Sequence, residues 1–379
     1  MALFLFRPLR RPPDFPRFHT EKHPHPMRRF ISLGETKDDD MVPLIDDEVA
    51  TFLKMLEDLT AHLRNAATAG DITTLAGATD NLNAYRPHGC LAAYDLLKQR
   101  LLNRVSSSRT ATVGGAHRGS GPSAEPIVSR LIQLCVEYRV HYEHCVDRTI
   151  NYVKPFLRNC RVLLFGDGEI LTQVAVDCLL ESTGARFVVP EGTPNGLSRL
   201  LTNVRQCDRI RQRLRDDPTF EAVLRRSLTT VPDCAVAQVM SDMDFVLVGA
   251  NAITEHGGIV HYTGTYQIAL LAQAMRLPFY VVAPTYKFAR MFPLTTKDLR
   301  CNQDFTSLLH AAPQSLESLS DYAEAPPVAD DASANSGLFS PVELVPPGYV
   351  TQVFTEEGIM PPTSVADYIF KVCTVPDSI

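Results

Sequence analysis

No two of the nine cysteines stand in a CxxC pair, so the paired thiolates of a structural zinc site are missing. Several lie inside apolar runs, where cysteine behaves as a small core hydrophobe. An odd count without a spacing framework points to a reducing compartment. Positive charge is also scarce. A formal net charge of −6 argues against the broad basic face that a general nucleic-acid binder uses to displace counterions. No apolar stretch has the length needed to span a bilayer. The expectation is a cytoplasmic protein with no metal, no cofactor, no membrane contact and no direct nucleic-acid partner.

What is present is a chain of 379 residues, 45% hydrophobic and 21% charged, long enough for two domains. Residues 1–44 are proline-rich and basic at first and end near the acidic run Asp38–Asp40. Prolines 8, 12, 13 and 16 break any amphipathic targeting helix there, and the stretch is expected to be a disordered tail. From Ile45, apolar residues recur at helical spacing through Val49, Phe52, Leu56, Leu59 and Leu63. Further helices are predicted over 71–82 and 91–105, with a Ser/Gly-rich flexible loop at 106–122. Helical spacing then resumes from Ile127 through Val153. Residues 45–159 therefore form a predicted all-helical domain.

The pattern changes at Arg161. Short apolar runs at 162–165, 186–189, 228–231, 245–248 and 279–283 alternate with helix-length segments. Such runs are strands buried on both faces, and the fold class is α/β: a Rossmann-like, doubly wound parallel sheet over 160–379. Residues 311–335, poor in large apolar side chains, are expected to be a surface insertion, and a closing helix is predicted at 364–372.

In such a sheet, ligands collect at the carboxyl ends of the strands. Gly166-Asp167-Gly168-Glu169 lacks the third glycine of a dinucleotide fingerprint, and its acidic residues oppose a pyrophosphate. It suits a tight turn whose acidic start complements the helix dipole. Gly249-Ala250-Asn251 and the loop from Gly257 to Thr265, which carries His261 and Tyr262, are the other two candidates. Asp233 opens a helix after Val231-Pro232, where capping is its simplest role. His261 suits a polar filler of the pocket or a packed interface residue better than a base.

Together, Val248–Ala250, Gly257–Gly258, Gly264–Thr265, Pro278–Ala283 and Tyr286–Phe288 resemble the signature of one family. That family comprises the alpha, beta and delta subunits of initiation factor 2B, methylthioribose-1-phosphate isomerase and ribose-1,5-bisphosphate isomerase. The resemblance runs over roughly residues 80–375 and implies a helical domain joined to a Rossmann-like one. In the isomerase branch it implies an acid–base pair, a Cys after the first strand and an Asp after VGA. Here those positions hold Gly166 and Asn251. An Asn-Lys phosphate clamp is replaced by His261-Tyr262, and a phosphate-holding arginine by Thr193. Each departure removes chemistry that an enediol route requires. No catalytic residue is expected, and Gly166, Asp167, Asp233, Asn251, His261 and Tyr262 are assigned to a vestigial pocket.

The resemblance then implies a regulatory scaffold in the guanine-nucleotide exchange complex for initiation factor 2. Its partners would be the other subunits of initiation factor 2B and the phosphorylated alpha subunit of initiation factor 2. Thr285–Phe288 and Pro346–Val365 lean to the delta type, whereas Gly257–Ile259 and Pro278–Ala283 look alpha-like. A homo- or hetero-dimer through the Rossmann-like domain is expected, with Ile259, Tyr262 and Tyr266 as interface residues. Two alternatives stand beside this reading: an active sugar-phosphate isomerase with relocated groups, and a sugar-phosphate or nucleotide sensor. The sensor would need Arg199 or Arg290 in the cleft.

Overall fold

A computed structural model describes residues 48–69, 125–191, 199–301 and 342–374. The predicted tail (1–44), the helices at 71–82 and 91–105, the loop at 106–122 and the insertion at 311–335 lie outside the described residues. The described residues all lie in one compact unit. Among the described residues, no helix is long and apolar enough to cross a membrane.

In chain order the elements begin with helices α1 (Glu48–Ala69), α2 (Glu125–Tyr142) and α3 (Cys145–Leu157). Then come β1 (Arg161–Phe165), α4 (Glu169–Leu180), β2 (Arg186–Pro190), α5 (Arg199–Gln206), α6 (Asp208–Asp216), α7 (Phe220–Ser227) and β3 (Leu228–Val231). The second half contains α8 (Val236–Met240), β4 (Phe245–Val248), β5 (Ala252–Thr254), β6 (Ile259–Tyr262), α9 (Thr265–Ala274), β7 (Phe279–Val282) and β8 (Phe288–Ala289). It closes with α10 (Thr296–Cys301), β9 (Val342–Val345), β10 (Gln352–Thr355), β11 (Gly358–Met360) and α11 (Ser364–Thr374).

The main sheet has seven strands in the order β11-β10-β7-β4-β1-β2-β3. Pairing is parallel from β10 to β3, and only the edge strand β11 runs antiparallel. Side chains alternate strictly between its faces. Val162 and Leu164 of β1 and Phe245 and Leu247 of β4 join one buried cluster. Leu163 and Phe165, with Val246 and Val248, join the other. Helices α3 to α7 supply the first cluster; α8, α9 and α11 supply the second. Covering both faces is what lets these strands be apolar throughout.

A smaller sheet, β8-β5-β6-β9, springs from the carboxyl end of the large one. Its β6 was expected to be a glycine loop, and Ile259 an exposed interface residue. Instead Ile259 is fully buried, paired across β6 to Val345 of β9 and to Ile253 of β5. A four-residue strand in a glycine-bounded loop carries too little local pattern, and the partner strand lies some eighty positions away in the chain.

The single helical run predicted from Ile127 to Val153 is two helices, broken at Glu143 and His144. The Arg148 guanidinium closes the break by donating to the carbonyl of His141, one of the orphan acceptors at the end of α2. α1 packs along α2, with Phe52, Met55, Leu56, Leu59 and Leu63 buried against Cys135 and Tyr142. Arg139 pairs with Glu57 at 2.6 Å across the rim of that contact.

Candidate functional site

The chain runs outward from β1 through β2 to β3, then returns to lay β4 on the other side of β1. This reversal makes the carboxyl ends of β1 and β4 a topological switch point, where an open α/β sheet presents a crevice. A cleft lies there. Asp167 and Gly168 border it from the end of β1, Asn251 from the end of β4, His261 and Tyr262 from β6, and Lys287 from the turn after β7. Four of the six residues predicted for the pocket thus meet in one place.

Gly166 explains a fifth. Its φ of +123° lies where side chains are rarely tolerated. A Cβ placed on it would fall 2.9 Å from both Cε1 and Nε2 of His261. The imidazole therefore stands in the space that a side chain at position 166 would need. The ring of Phe165 meets it edge-on at 5.9 Å. Asp233 is not brought in: it begins a 3-10 turn after β3, two strands from β1 toward the sheet edge, and Pro232 rather than Asp233 holds the cap position.

The tautomer of His261 follows from its partner. Thr265 Oγ1 donates its one proton to the Tyr262 carbonyl at 2.6 Å, and must accept from His261 Nδ1–H at 2.9 Å. Nε2 is then the unprotonated nitrogen, facing Gly166 and Gly249. Burial, with the Lys287 ammonium nearby, lowers the ring from its usual 6.5 to about 3. His261 is neutral at physiological pH and a poor base.

Lys287 is the residue that sequence reasoning missed. It is only 5% exposed, and its Nζ donates to the Ala250 carbonyl at 2.9 Å. A lysine inside the mostly apolar stretch from Phe279 to Ala289 was the available signal, since such a side chain is rarely buried without a partner. Arg290, offered for phosphate, is exposed and does not line the cleft. Thr193 and the side chain of Arg199 lie outside the described residues.

Two helices begin beside the cleft, and their amino ends differ. Gly168 precedes α4 with no side-chain cap. At α9 the carboxylate of Glu343, from β9, accepts the Gly264 and Tyr266 N–H groups at 2.8 and 2.7 Å. An anion site at that helix start is already filled by the chain's own charge. Burial raises the Glu343 pKa, while the three backbone N–H bonds from Gly264 to Tyr266 oppose the shift.

Behind Lys287 lies a polar seam. Thr285 donates its N–H to both oxygens of buried Glu356, at 3.1 and 3.0 Å, and its hydroxyl to Oε1. That hydroxyl in turn accepts from Tyr142 of α2 at 2.9 Å and Tyr368 of α11 at 3.1 Å. Burial pushes the Tyr368 phenol up to about 12 and that of Tyr142 well above its ordinary value. Both phenols therefore remain proton donors.

Residues 227–362 match the model of the Initiation factor 2 subunit family. Initiation factor eIF2B subunit alpha of Dictyostelium discoideum is 34% identical over 163 residues, 41% of this chain and 48% of that protein. Ribose 1,5-bisphosphate isomerase of Methanocaldococcus jannaschii is 32% identical over 136 residues, 36% of this chain and 38% of that protein. The chain thus spans half the length, or less, of the curated relatives it matches. In fold it is similar to the tetrameric eIF2B-beta2-delta2 complex from C. thermophilum, with a TM-score of 0.51 and 11% identity over 86% of this chain and 94% of that one. Over residues 227–362 the chain is thus similar to the Initiation factor 2 subunit family, and over 36–41% of its length to both an initiation factor 2B subunit and a sugar-phosphate isomerase.

Proposed function

We propose that this chain is a non-catalytic, regulatory subunit of the guanine-nucleotide exchange complex that serves initiation factor 2. It would scaffold that complex and sense the phosphorylated partner. The observation that supports this most is the His261 ring standing in the side-chain space at position 166. An aldose–ketose isomerase moves a proton between neighbouring carbons and needs two titratable groups at the substrate. At the positions the family uses, this chain has a glycine and an amide, and the imidazole that fills the gap is neutral and acidified. The pocket is retired as chemistry and kept as structure. Lys54 and Arg64, exposed on α1, are two basic residues that could meet a phosphorylated partner.

The test has two arms. The purified chain should show no turnover of ribose 1,5-bisphosphate or methylthioribose 1-phosphate. Mixed with the other initiation factor 2B subunits, it should enter the complex, and substitution for alpha or for delta decides the subunit type. A second reading has its own support: Asp167 and Lys287 both line the cleft and could serve as relocated catalytic groups. Turnover abolished by Asp167→Asn or Lys287→Met would establish that enzyme and sink the first reading.

A further inference from the structure

We propose that the cleft and the first turns of α1 are mechanically one unit, joined by the 3-10 turn Thr285–Lys287 and by Glu169, so that the state of the cleft is read out by the helical layer. This deepens the regulatory reading above and rests on it. Three successive residues of the turn face three different environments. Thr285 is fixed in the polar seam by Glu356, Tyr142 and Tyr368. Tyr286 enters the core of the helical layer, its ring stacked on Phe52 of α1 at 4.7 Å and 15° and edge-on to Tyr142 at 5.6 Å. Lys287 turns back into the cleft, onto the Ala250 carbonyl. All three are at most 5% exposed, and adjacent backbone in a tight turn leaves no slack between them.

A second tie starts from the other side of the cleft. Glu169, which follows cleft-lining Gly168, accepts the Val49 N–H at the start of α1 through its Oε2 at 3.4 Å. Carboxyl-end residues after β1 and β7 therefore both hold the first turns of α1, one at Val49 and one at Phe52. Packed interiors shift between discrete arrangements rather than deforming smoothly. An anionic small molecule that drew the Lys287 ammonium from Ala250 would release the turn's tie to the cleft, and Tyr286 would carry any shift of the turn to Phe52.

The experiment needs no ligand. Hydrogen exchange of the α1 amides would be followed in the full chain for Lys287→Met, Phe52→Leu and the double variant. Lys287→Met alone should speed exchange at 48–56 while leaving α7, beside the edge strand β3, unchanged. The double variant should depart from the product of the single effects by more than about twofold. A departure within about twofold, or equal acceleration in α7, overturns the coupling. Should Lys287→Met fail to fold, Glu169→Ala, which removes the acceptor for the Val49 N–H, replaces it and tests the tie from β1 by the same criterion. Additivity would overturn the coupling and leave the subunit reading intact, whereas turnover or failure to assemble would sink that reading whatever the exchange pattern.

Discussion

The two buried regions of this protein are built on opposite principles. The sheet core, from Val162 to Val282, is aliphatic and aromatic on both faces and makes no demand on direction. The seam beneath the helical layer is largely buried too, yet it is held by a carboxylate and two phenols whose hydrogen bonds converge on one threonine. Apolar packing tolerates exchange of one side chain for another of similar volume, while a polar network fails when one member is lost. The sheet gives the molecule its stability; the seam decides how α2 and α11 sit upon it.

The largest effect should come from breaking the seam. Glu356→Ala leaves the Thr285 N–H and hydroxyl without their acceptor, and loss of several charge-assisted bonds at once should cost about 3–5 kcal/mol. Leu164→Ala, in the sheet core, should cost a comparable or smaller amount, about 2–4 kcal/mol. Denaturant titration gives the totals, and hydrogen exchange separates the two. The seam variant should loosen α1 and α2 before the sheet, and the core variant should lower protection everywhere. Equal patterns would erase the distinction.

A middle-sized effect is expected from acid. With His261 held near 3 in the folded state against 6.5 when unfolded, both states are neutral above pH 6.5 and stability is complete there. As the pH falls below 6.5 the unfolded chain takes up a proton that the folded chain refuses, and about 2 kcal/mol should be lost by pH 5. His261→Gln should remove that part of the slope. An unchanged acid slope in the variant would mean that the ring is not buried beside Gly166 as described.

The smallest effect concerns the filled helix start. Glu343→Gln keeps the shape but removes the charge from the N-terminus of α9, for a loss of about 1 kcal/mol. The same variant should raise the affinity of the cleft for inorganic phosphate, measured by calorimetry, if the carboxylate is what repels anions there. Unchanged or weaker phosphate binding would show that Glu343 acts as a cap alone.

The sequence by itself determined five of the seven strands of the large sheet. Each of the five apolar runs it predicts, at Val162–Phe165, Arg186–Val189, Leu228–Val231, Phe245–Val248 and Phe279–Ala283, is a strand within a residue of its observed ends. A strand buried on both faces writes itself as an unbroken apolar word, whatever lies beside it. The glycine at 166 and the amide at 251 were equally plain, since what a residue cannot do chemically is local to it. Tertiary structure alone decided the rest. That β6 is a strand depends on β9, far along the chain. Two further facts are likewise long-range: His261 occupies the space beside Gly166, and Lys287 turns into the cleft while its neighbour Tyr286 turns into the helices. Periodicity records which way a side chain faces along its own element, and only the packed fold records what waits for it there.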